Sequence, residues 1–152
     1  EQDRSKWNQI LIRRGLAALN QADKLGGARG NYALQATIAA CHARAGRLGD
    51  TDWRRIAALY DELSLVTPSP IVELNRAVAH TMAFGPEVGL TILEPLMDIP
   101  QLRTYHLLPS VRGDFLSRLG RHEEARAEFR RAAEMTQNNR ERELLRKRAA
   151  EA

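Results

Sequence analysis

Apolar positions recur every three or four residues along almost the whole chain, the spacing that keeps one face of an α-helix dry. Trp7, Leu11, Gly15, Ala18 and Ala22 predict a first helix, capped by Asp3 or Ser5, running to about Lys24 and stopped by Gly26-Gly27. A second helix, about Tyr32 to Ala45, is apolar nearly all round and is expected to be the most buried. Gly46 and Gly49 flank the loop that follows. Thr51 or Asp52 caps a third, Trp53 to Val66, with Ile56, Tyr60 and Leu63 on its inner face. In Thr67-Pro68-Ser69-Pro70, Pro68 cannot continue that helix, whereas Ser69 as cap and Pro70 as first residue start the next, to about Ala83. Gly85-Pro86 repeats this stop and start, and a fifth helix runs from Glu87 to about Met97, with a kink or early end expected at Pro95. Pro100 closes it, and Leu102–Leu119 (bent at Pro109), Arg121–Met135 and Asn139–Ala150 complete eight helices.

The same spacing recurs between helices. Gly113 is followed at +3 by Leu116, at +12 by Ala125, at +16 by Phe129 and at +19 by Ala132. From Ala77 the offsets +12, +16 and +19 land on Gly89, Leu93 and Leu96, one repeat of 36 residues earlier. Ile56, Tyr60 and Leu63 precede Gly89, Leu93 and Leu96 by 33. Small residues at the close approach of paired helices, in registers of this length, are the pattern of tetratricopeptide-like hairpins. The expected fold is therefore all-α: one domain over 1–152, a right-handed array of about four antiparallel helical hairpins. The charged last helix, with Leu144 and Leu145 among Arg and Glu, has the polar outer face of a terminal cap.

Composition narrows the function classes. Apolar content of 43% with 28% charged residues is that of a water-soluble domain. No apolar run approaches the roughly 20 residues that span a bilayer, so no membrane helix is expected, and no signal peptide is visible. A single cysteine, Cys41, inside an apolar helix rules out a disulfide framework, suits a cytoplasmic setting, and reads as a buried small hydrophobe. The net charge of +4 mixes both signs, and no basic run interleaves with aromatics, which argues against nucleic-acid contact by this segment. The chain opens Glu1-Gln2-Asp3 without an initiator Met, so a longer parent protein is expected.

Motifs for chemistry are not found. His42, His80, His106 and His122 stand in no zinc-ligand spacing, and Gly26-Gly27-Ala28-Arg29-Gly30 lacks the Lys-Ser/Thr ending of a phosphate loop. Asp61-Glu62, Glu123-Glu124 and Glu141 read as surface partners of Arg within their own helices. No enzyme, metal or cofactor is expected. What remains is the concave side lined by the first helix of each hairpin. It offers Asn75, Arg76 and His80 in one repeat and Tyr105, His106, Arg112, Asp114 and Arg118 in the next. These residues suit a peptide carboxylate or backbone; equally, Arg112 and Asp114 could tie adjacent helices together.

Several blocks resemble the C-terminal extension of bacterial extracytoplasmic-function sigma factors that carry a tetratricopeptide-like tail. They are Asp3-Arg4-Ser5-x-Trp7, Tyr32-x-Leu34-Gln35-Ala36-x-Ile38-Ala39-Ala40-x-His42-Ala43, Thr51-Asp52-Trp53 and Ile56-x-x-Leu59-Tyr60-Asp61. Gly113-Asp114-x-Leu116 through Gly120-Arg121-x-Glu123-Glu124-Ala125 also fits. The most specific block is Pro68-Ser69-Pro70-x-Val72-x-Leu74-Asn75-Arg76-Ala77-Val78-Ala79; Phe115 departs by replacing an aliphatic residue. The resemblance implies a regulatory interaction module of a transcription initiation factor. Its partners would be its own N-terminal sigma domains, core RNA polymerase or a regulatory protein, with promoter DNA bound only through domains preceding Glu1. The competing reading is a stand-alone peptide-binding scaffold unrelated to transcription.

Overall fold

Where each helix begins is decided by one or two residues. In a computed structural model, which describes Tyr32–Arg44 and residues 51–152, α1 spans Tyr32–Arg44, α2 Trp53–Val66 and α3 Pro70–Phe84. They are followed by α4 (Pro86–Leu93), α5 (Leu107–Arg118), α6 (His122–Met135) and α7 (Asn139–Glu151). The first predicted helix, its caps, its Gly26-Gly27 stop and the Gly46–Gly49 loop lie outside the described residues. Asp52, rather than Thr51, caps α2, its carboxylate accepting from the Arg55 amide at 3.2 Å. Ser69 caps α3 by accepting from Ile71 N at 3.2 Å, with Pro70 in the first turn, where a missing N–H costs nothing. Asn138 caps α7, its side-chain oxygen accepting from Arg140 N and Glu141 N at 3.0 and 3.2 Å.

Two predicted helices are shorter than their apolar spacing suggested, and proline accounts for both. The fifth ends at Leu93, because Pro95 has no N–H to offer the Thr91 carbonyl; the chain tightens into a 3₁₀ turn over Glu94–Asp98 and a second over Pro100–Leu102. The sixth starts at Leu107 and not Leu102. Pro109 cannot donate to the Tyr105 carbonyl, which accepts instead from Leu108 N at 3.2 Å, and Pro109 then falls in a first turn. Tyr105 and His106 therefore precede the helix instead of riding on its inner face.

The chain divides into two compact units at Gly85–Pro86. Gly85 itself takes a left-handed φ of 111°, and its N–H closes α3 on Thr81 O at 2.9 Å. In the first unit Ile38, Ile56, Ala57, Tyr60, Leu63, Val72 and Ala79 form one buried cluster, with Leu34, Cys41 and Trp53 partly buried against it. Among its described residues α1 buries Gln35 and Ile38, while Ala33, Ala36, Ala39 and Ala43 are exposed. It is not the most buried helix: alanine leaves so little apolar surface that an all-round apolar helix can still face water. Cys41 is likewise only partly buried.

In the second unit the repeat register becomes packing. Gly113 lets the Phe129 ring close on its backbone: a Cβ there would stand 3.0–3.2 Å from three ring carbons. Phe129, Ala125 and Ala132 are fully buried, as is Leu116, and the register positions of the earlier hairpins behave alike. Ile56, Leu63, Ala77 and Leu93 are fully buried, with Tyr60, Gly89 and Leu96 nearly so. Gly120, at φ 79°, turns the chain between α5 and α6, letting Arg121 N donate to Leu116 O at 2.9 Å. The fold is all-α, built from antiparallel helical hairpins, and no strand occurs among the described residues.

Candidate interaction site

On the α2–α3 hairpin, polar side chains form a ladder beside the apolar core. Arg76 donates from Nε to Asp61 Oδ1 at 2.7 Å and from Nη1 to Glu73 Oε2 at 3.0 Å. His80 Nε2 reaches the same Asp61 oxygen at 2.8 Å, and Ser64 donates to the other oxygen of Glu73. Partners that descend along α2 ascend along α3, as antiparallel pairing requires. Beyond His80 lies Phe84, half exposed, with the two rings 5.6 Å apart and the Arg54 guanidinium 5.8 Å from the Phe84 centroid. Asn75, expected on the concave surface, is instead buried beside Tyr60, whose phenol burial pushes well above its usual range while the Asn75 amide partly offsets it.

Asp61 is the hub. Burial opposes its ionisation, but hydrogen bonds from Arg76 and His80, with their charges, hold its carboxyl below the usual range. A carboxyl lowered on folding contributes stability that is present above the unfolded pKa and lost as pH falls through the folded one. From about pH 6 to about pH 3 the protein should therefore lose more stability than an Asp61→Asn variant, read from urea midpoints; parallel profiles would remove Asp61 from the acid response. The carboxylate is nearly half exposed, so the difference is modest.

In the second unit the predicted residues divide by depth. Asp114 is fully buried and pairs with Arg118 Nε at 3.1 Å and with Arg148 Nη2 at 2.8 Å. Arg148 also lies over the Phe129 ring, 5.2 Å from its centroid. Of the two readings of Asp114, the tie between helices is the one built here: it joins α5 to α7 and does not reach a concave surface. Arg112 sits at ion-pair distance, 3.6 Å from Glu94 and 3.5 Å from Glu128. Burial raises the Glu128 carboxyl above its usual range, Glu94 adds to this, and Arg112 and Arg131 oppose it. His106 Nε2 meets Glu141 at 3.0 Å, Thr136 donates to Glu141 at 2.8 Å, and the Tyr105 and His106 rings meet edge-on at 6.3 Å.

Sequence spacing missed the cross-helix partners. Asp61 and Glu141, read as partners within their own helices, bridge to other elements, whereas Glu124 does pair locally, gripping Arg121 at 2.7 and 2.9 Å. The detectable signal for Asp61 was its position three residues before Ser64, opposite Glu73, Arg76 and His80 at spacings of three and four. Among the described residues no group of three or more His, Cys, Asp or Glu is placed to hold a metal ion. None of their helices is long and apolar enough to cross a membrane. Among the described residues the exposed large apolar side chains are Leu65, Val66, Phe84 and Val88.

No family model matches the chain, and no solved structure does. The chain is similar to an uncharacterized protein of Rhizobium meliloti, 43% identical over 138 residues. That stretch is 91% of this chain and 32% of the relative, so the chain spans about a third of the curated protein it matches.

Proposed function

We propose that the chain is the C-terminal regulatory and protein-interaction domain of an extracytoplasmic-function-type sigma factor, acting in transcription initiation as part of a longer protein. The observation that carries this reading is the block Pro68–Ala79. Its Pro-Ser-Pro start and Asn-Arg pair carry the resemblance, and the same residues cap α3 and supply Arg76 to the partly buried ladder. Helical hairpins that spend their charges on one another, with a few exposed apolar side chains at their ends, suit a docking surface better than a reaction centre. The partners would be the preceding sigma domains, core RNA polymerase or a regulatory protein, in the cytoplasm, with promoter DNA bound by the other domains.

Removing residues 1–152 from the full-length protein should change promoter-dependent transcription by reconstituted polymerase several-fold in either direction. Unchanged output, with polymerase binding intact, rejects this reading and leaves the stand-alone peptide-binding scaffold in its place.

A further inference from the structure

α7 packs along α6 and reaches α5 through its side chains. Its buried side chains are Leu145 and Ala149, Leu144 is partly buried, and polar contacts add to them. Arg148 reaches Asp114 at 2.8 Å and stacks over Phe129, while Glu141 meets His106 at 3.0 Å. Arg142 donates to the carbonyls of Thr136 and Ala133 at 2.8 and 3.3 Å. Leu145, Arg148 and Ala149 stand at i, i+3 and i+4 on one face, the anchor spacing by which an amphipathic helix is read in a groove.

The kind of contact matters as much as its place. A buried ion pair loses most of its attraction to the desolvation of both charges, so it selects a partner more than it stabilises one. Asp114 is fully buried, and its second partner, Arg118, is on its own helix at 3.1 Å. When Arg148 leaves, the carboxylate keeps a cation, and the groove need not collapse. Gly113, by admitting Phe129 against the α5 backbone, fixes the ring that forms the other half of the arginine seat.

We propose that α5 and α6 form a helix-binding groove in which Asp114 and the Phe129 ring read an arginine, and that α7 is its exchangeable occupant. The ligand that fits is an amphipathic helix presenting Leu, Arg and Ala in the α7 register. This inference does not rest on the sigma-factor reading, and its test involves no transcription.

The test is native-state hydrogen exchange on the full chain carrying Arg148→Ala, with a photo-crosslinking peptide of the 139–151 sequence added in a second arm. In the variant, α7 amides should exchange about tenfold faster or more while α5 and α6 keep their protection. The peptide should crosslink to α5 or α6, and a peptide carrying Arg148→Ala should not. Arg148→Lys, which keeps the charge but loses the planar fork, should fall between. Loss of protection in α5, α6 and α7 together would make α7 a structural cap and overturn the proposal. Unchanged α7 protection, or equal capture of both peptides, would overturn it as well.

Discussion

Asp114→Ala is expected to lower the unfolding free energy by about 3 kcal/mol or more, the usual consequence of removing one side of a buried charge network. The carboxylate is fully buried between Arg118 and Arg148, whose own side chains are largely buried too. Its removal takes this anion away from both guanidinium groups. Arg148 can escape by lifting α7 into solvent, whereas Arg118, one turn along α5, can leave its largely buried position only by swinging its own side chain out. Asp114→Asn should cost less, because one amide oxygen still accepts from one arginine, although the charge that balances the second is gone. Urea unfolding followed by far-UV circular dichroism reads both variants, since the chain is helical throughout its described elements. A loss below about 1 kcal/mol for Asp114→Ala would mean that water reaches the site and screens the pair.

Asp114 also marks the boundary of what the sequence discloses. The apolar register reads directly, because burial at Ile56, Leu93 or Phe129 depends only on which face of a helix a residue occupies. Prolines read nearly as well: Ser69-Pro70 starts α3, and Pro95 ends the fifth predicted helix. Which neighbour faces a polar residue is another matter. Spacing places Asp61 on a partly exposed face of α2 but is silent on Arg76 and His80, 15 and 19 positions later. The Arg148 partner of Asp114 is 34 residues away, on a helix whose charges look wholly solvated when taken alone. A clue was present: Asp114 sits beside Gly113 and before Phe115-Leu116, inside the stretch whose register demanded burial. Tyr105 and His106 were misplaced for a local reason, because helical spacing continues through residues that Pro109 keeps out of the helix.

Phe129→Ala should cost about 3–5 kcal/mol, and the effect of adding a methyl at Gly113 should reverse sign in its presence. In the native protein the ring is fully buried and packs on the bare backbone of α5. Gly113→Ala alone sets two terms against each other. Alanine is a better helix former than glycine by about 1 kcal/mol, but its Cβ would stand 3.0–3.2 Å from three carbons of a fully buried ring, which would have to shift. Overpacking of this kind typically costs about 1–3 kcal/mol, so the single change should destabilise. With the ring gone, the same methyl meets a cavity. It then adds helix propensity and fills part of the void, so the double variant should be about 1 kcal/mol more stable than Phe129→Ala alone. A double-mutant cycle therefore carries a coupling term of about 2 kcal/mol or more, far outside the additivity of distant sites. Additive effects would show that Phe129 does not rest on Gly113, and the arginine seat built from that contact would go with it.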